Sequence, residues 1–147
     1  MNNFLGLPAI YYLMKQDINF DPVEGVTIAV VSESDVTDTP AWSVYLINQN
    51  DVYLDNVLVS SKGYGEQEGE KIRTSVLRHM FEQVQPKSFV KIEPIDPAIF
   101  QLYNEYWVSY YIGRKIYDKK FVFVPGSIVE ENLIYISMVG RKGVLHN

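Results

Sequence analysis

A chain of 147 residues, 47% hydrophobic and 21% charged, has the composition of one globular domain, expected to run over residues 1–147. A disordered tail, a collagen-like repeat and a membrane channel are excluded on that composition. A formal charge of −5 with no cysteine argues against nucleic acid and anionic membrane as partners, because both need a basic patch. It also excludes disulfide frameworks, thiolate metal sites and thiol nucleophiles.

The charge is unevenly spread. Residues 1–70 hold only Lys15 and Lys62 against eleven acids, a balance of −9, while residues 71–147 carry +4. The two halves either pack together or leave a basic C-terminal face for an acidic partner.

The N-terminal stretch from Phe4 to Met14 is apolar, interrupted by Pro8, with no basic residue before it. It is not a signal peptide by that pattern, and no run reaches the ~20 apolar residues of a membrane helix. The expected location is cytoplasmic. Pro8 is well placed to open a short helix over 8–16.

Beyond it the dominant signal is β. Residues 26–31 are a β-branched run bounded by Gly25 and the acidic loop 32–38. Strands are expected at 42–47 and 52–59, joined as a hairpin through Asn48-Gln-Asn-Asp51, whose side chains tolerate turn backbone. A loop is expected over 60–70. Residues 70–84 are ambiguous, since Ile72, Val76, Met80, Phe81 and Val84 recur at helical spacing. Neighbouring strands favour a strand there, hairpin-paired with the next strand, 88–95. Residues 96–102 read as a helical or wide turn, 103–112 and 116–124 as an aromatic hairpin, and 133–138 as a late strand. Short strands at this spacing predict an all-β fold: an antiparallel β-sandwich or partly open barrel with at most one or two short helices.

The aromatic hairpin admits two registers. A loop of Gly113-Arg114 suits a type II′ turn and sets Trp107 opposite Lys120 and Val108 opposite Lys119. A three-residue loop, Gly113–Lys115, gathers Trp107, Tyr111, Tyr117, Phe121 and Phe123 on one face. A one-residue slip exchanges the faces, and burial of the aromatic set favours the longer loop. Tyr106, Val108, Tyr110 and Val122 then form a second apolar patch. It calls for a cover: residues 4–14, a second sheet or another copy of the chain.

Few residues suggest chemistry. Gly63-Tyr-Gly-Glu-Gln-Glu-Gly69 fits neither phosphate-loop pattern. Glu66, Glu68 and Glu70 sharing a strand face is a weak calcium motif. With only His79 and His146, a three-histidine zinc site is impossible. His79, beside Arg78, meets Glu93 if 70–84 and 88–95 pair, as an acid/base couple or a plain polar cluster. The 14% aromatic content provides core, or a stacking platform for a sugar or for single-stranded nucleic acid, the acidic charge arguing against the latter.

Val57-Leu-Val-Ser-Ser-Lys-Gly-Tyr-Gly65, Leu77-Arg-His79, Glu105-Tyr-Trp-Val-Ser109, Asp118-Lys-Lys-Phe121 and Gly143-Val-Leu-His146 carry a resemblance over most of the chain. It resembles an uncharacterised family of short bacterial proteins, some labelled phenylalanyl-tRNA synthetase alpha subunit. The resemblance implies no activity. A class II synthetase core is longer than this chain and needs a motif-borne arginine that has no counterpart here.

The leading expectation is a non-enzymatic β-sandwich protein acting through protein–protein contact, by self-association or with a protein partner, using no cofactor or metal. The alternatives are a small-ligand or carbohydrate binder with an aromatic cleft, and an enzyme using Arg78, His79 and Glu93. The candidate binding residues are Tyr106, Tyr110, Arg78, His79 and Glu93.

Overall fold

Val26–Ser32 forms the first strand, β1, of a computed structural model that describes residues 22–33 and 41–146. The expected helix at 8–16, the covering segment 4–14 and most of the acidic loop 32–38 lie outside the described residues. After β1 come β2 (Trp42–Asn48), β3 (Leu54–Gln67), β4 (Glu70–Arg73), β5 (Leu77–Val84) and β6 (Ser88–Pro94). Then follow β7 (Tyr103–Ile112), β8 (Lys115–Phe123), β9 (Ile134–Ile136) and β10 (Arg141–His146). They make two antiparallel five-stranded sheets. The first runs β6-β2-β1-β10-β9; the second runs β4-β3-β7-β8, with β5 also paired to β3. Among the described residues there is no α-helix, only 3-10 turns at Pro97–Ile99 and Glu130–Asn132. The first of these turns, with Asp96 accepting from the Ala98 N–H at 2.9 Å, is the turn expected over 96–102.

β1 and β2 are continuous apolar runs because both their faces are covered. Ile28, Val30, Val44 and Leu46 point toward the second sheet and join the main core. Ala29, Val31, Tyr45 and Ile47 point the other way, into a smaller cluster with Ile136. β10 reaches this arrangement through Gly143. A Cβ there would lie 2.7 Å from the Val30 carbonyl oxygen and 2.9 Å from Ile136 Cδ1, so only glycine permits the approach.

Three expected connections are different. Residues 48–51 do not close a hairpin: β2 lies in the first sheet and β3 in the second. The fully buried Asn48 pins this crossover, its Nδ2 donating to the carbonyls of Val52 at 3.0 Å and Gln85 at 2.9 Å. The expected loop 60–70 is mostly strand, and the reversal is confined to Glu68-Gly69. Both have positive φ (52° and 81°), as a type I′ turn requires. Glu66 thus faces Lys71 and Gln67 faces Glu70 across a ladder, so the three glutamates do not share one strand face. Residues 70–84 are strand, as expected, but in two pieces, and both pair with β3 instead of β6.

The aromatic hairpin takes the register that the turn prefers. Ile112 pairs with Lys115, Trp107 with Lys120 and Val108 with Lys119. The loop is Gly113-Arg114, with Gly113 at φ 62°. The expected three-residue loop and its core face are therefore incorrect. Tyr106, Val108 and Tyr110 are buried, with Phe121 and Phe123, while Trp107 is 48% and Tyr111 38% exposed. In this register each face of the hairpin carries a lysine among its aromatics. Lys119 is half-buried on β8, the edge strand of the sheet, with its ammonium over the Phe121 ring, 4.8 Å from the centroid. The late strand is shorter than expected, and β10 had no counterpart in the sequence reading.

Candidate functional site: a carboxylate between the sheets and an exposed outer face

The inward faces of β3, β5 and β7 place three donors side by side. Val59 pairs with His79 and Ser61 with Tyr106, and residues two apart on a strand share a face. Ser61, His79 and Tyr106 thus point toward the first sheet. Opposite them is Glu93 on β6. Simple alternation would turn Glu93 outward, since Ile92 beside it is buried. The β2–β6 ladder shifts register here: Val44 pairs with Glu93 but Tyr45 with Lys91. The extra residue makes a bulge that aims Glu93 inward as well.

Glu93 Oε1 accepts from His79 Nε2 at 2.6 Å and from Ser61 Oγ at 2.9 Å. Its Oε2 accepts from Ser61 at 3.0 Å and from the Tyr106 hydroxyl at 3.4 Å. The Glu93 side chain is 11% exposed and that of His79 28%. A carboxylate only accepts, so Nε2 of His79 carries the hydrogen. A cleft of about 300 Å³ opens beside this cluster, lined among others by Ser61, Leu77, Glu93, Asp96, Asn104 and Tyr106. The carboxylate stands between the serine and the histidine. A nucleophile relay needs the imidazole in that place, so Ser61 is not activated by His79. What the cluster does is join the edge strand of one sheet to three strands of the other.

The expected meeting of His79 with Glu93 occurs, though across two sheets and not within a hairpin. Arg78 does not join it: β-alternation puts it on the opposite, exposed face of β5. Tyr106 is part of the cluster, at 2% exposure. Tyr110, at 1%, is a core ring stacked on Tyr117, centroids 5.3 Å apart. Neither tyrosine belongs to an exposed patch, so the expected self-association surface built on them does not exist as a surface. Ser61 was missed because its strand was read as a loop.

The second feature is the outer face of the second sheet. Leu58 pairs with Met80 and Ser109, and the next row runs Arg78, Ser60, Trp107, Lys120. Leu58, Met80, Trp107 and Tyr111 are 45%, 70%, 48% and 38% exposed. Trp107 donates its indole N–H to Asp118, and Lys120 Nζ lies 5.9 Å from its ring centroid.

A third polar group, Glu33, accepts from Tyr45 and, at 2.7 Å, from Ser43, with Lys91 at 3.4 Å. Burial by itself raises the Glu33 carboxyl. The hydrogen bonds from Tyr45 and Ser43 and the Lys91 charge outweigh it and hold the group below its ordinary value. Burial, then the Glu33 hydrogen bond and charge, push Tyr45 from 10.0 up to about 12. Burial is also the first cause raising Tyr106, where Glu93 adds to it, and Tyr110, where Tyr117 does. The folded chain keeps these protons where the unfolded chain has lost them. Stability is therefore complete below about pH 10 and falls as the pH rises through 12. Urea midpoints should drop over that range while part of the phenolate absorbance of the eleven tyrosines lags. A single titration of all eleven near pH 10 with the fold intact would contradict this.

Compared with family models, curated proteins and solved structures, the chain matches none. No family is identified, and the all-β class with two antiparallel sheets stands on the structure.

Proposed function

We propose that this protein is a non-enzymatic interaction module that takes an acidic, apolar-bearing segment of a partner protein across the outer face of its second sheet. The observation that carries this is the row Arg78, Ser60, Trp107, Lys120, next to exposed Leu58 and Met80. Contiguous exposed apolar side chains on a sheet mark a contact surface. An aromatic beside Lys120, with Arg78 two strands away in the same row, suits a segment that alternates apolar and acidic residues, with Arg78 pairing a carboxylate in two-pronged fashion. Self-association through this row would crowd Arg78 and Lys120 of one copy near the same two cations of the other, a like-charge arrangement that favours a different protein over self-association.

The test is titration with a synthetic peptide of alternating Glu and Leu, followed by tryptophan fluorescence. Trp42 is packed edge-on against Phe100 at 5.3 Å, whereas Trp107 faces solvent. Saturable binding is expected, weakened by salt, lost in Trp107→Ala, and reduced about tenfold in Arg78→Glu. Binding that is absent, or unchanged in Trp107→Ala, would overturn the proposal. So would light scattering that shows a dimer dissolved by the same substitution, which would make the face a self-interface.

A further inference from the structure

β4 and β5 lie along the same edge of β3, and residues 74–76 bridge the gap between them. The Gly63 N–H donates to Thr74 Oγ1 at 2.8 Å, the Thr74 N–H donates to the Gly63 carbonyl at 2.9 Å, and the Thr74 hydroxyl donates to the Ser75 carbonyl at 3.0 Å. Thr74 thus replaces the missing ladder rung and holds the chain in an arch. Under the arch, on the outer face of the sheet, is a groove of about 560 Å³. Tyr64 and Val76 give it apolar walls and Lys62, Lys71 and Arg73 supply cations, while Ile72, paired with Gly65, turns its side chain to the other face of β4.

We infer that this groove is a binding site for a small organic anion, a carboxylate or phosphate monoester on an apolar body. Its volume is that of a small-molecule site, and apolar walls with a few convergent polar groups are the usual composition of one. Arg73 pairs across the ladder with Tyr64, and Lys71 with Glu66, so both cations stand on the groove side of β4. Of the two acids in the lining, Glu105 is already engaged, by Lys62 at 3.8 Å and by the Tyr64 hydroxyl at 3.2 Å. Among the described residues Lys71 and Arg73 have no ion pair. Glu66 remains beside Lys71, which directs the anionic group toward Arg73. The guanidinium offers the paired donors that a carboxylate or phosphate accepts. Tyr64 is a rigid wall, stacked on Tyr103 with centroids 5.5 Å apart and 7° between planes. The site is independent of the Trp107 face, with the Lys62–Glu105 pair between them.

The experiment is amide NMR titration of the whole chain with benzoate, phenyl phosphate and inorganic phosphate. Benzoate or phenyl phosphate should move the amides of residues 63–66 and 71–76 saturably, and the tighter of the two names the head group. Inorganic phosphate, without an apolar body, should bind about tenfold more weakly. Arg73→Gln should weaken the organic probe about tenfold, Lys71→Gln should act in the same direction, and Arg78→Gln should leave it unchanged. Both groove residues are exposed, so these variants should keep the wild-type spectrum elsewhere. The inference is overturned by the absence of saturable shifts up to about 10 mM, by equal binding in Arg73→Gln, or by inorganic phosphate matching phenyl phosphate.

Discussion

Tyr106→Ala should lower the unfolding free energy by about 3–5 kcal/mol, while Trp107→Ala, one residue along the same strand, should change it by no more than about 0.5 kcal/mol. The contrast comes from the register of β7 against β8. Tyr106 is 2% exposed, faces Phe121 across the ladder and packs edge-on to Phe123 at 6.3 Å. Its removal leaves a cavity between the sheets and takes one donor from Glu93. Trp107 is 48% exposed, and little packs on its outer side. Urea unfolding of the two variants measures both effects. The opposite order of costs would mean that the hairpin carries the three-residue loop after all, with its faces exchanged.

Glu93→Ala should cost on the order of 3 kcal/mol. Ser61 is 4% exposed and Tyr106 2%, and without the carboxylate both hydroxyls lose their acceptor in a place that water reaches poorly. His79 loses a partner too, but its 28% exposed side chain lets water replace much of that bond. Glu93→Gln keeps one acceptor oxygen, and its cost should be about half as large. Hydrogen exchange should quicken in β6 and in the facing segments of β3 and β5, because Glu93 ties an edge strand of one sheet to the other sheet. A cost below about 0.5 kcal/mol would show that the carboxylate does not hold the sheets together.

The sequence by itself determined that the chain is all-β, because the relevant information is local. Branched and aromatic runs, punctuated by Gly25, Gly113 and Gly140, specify strand and turn whatever the partners are. β7 was legible to the residue, while the 70–84 stretch stayed open between strand and helix, its neighbours only favouring the strand that the structure shows. The turn chemistry at Gly113-Arg114 was visible as well, but the all-aromatic face was preferred to it on the sequence, and the folded hairpin follows the turn instead. The meeting of His79 with Glu93 could be read as a pairing, although by the wrong route.

Which strand joins which sheet was decided only by the tertiary structure. Backbone ladders carry no residue code, so β2 and β3, adjacent in sequence, separate into different sheets, and β5 turns from β6 to β3. The same limit hid the site. Strand alternation places Glu93 outside, and one extra residue in the β2–β6 ladder brings it in, toward a serine on what had read as a loop. Lys119 on the inner face is a second case. Its charge suggests solvent, yet it sits half-buried on the edge strand β8 with its ammonium over the buried Phe121 ring, a placement that only the packed structure shows.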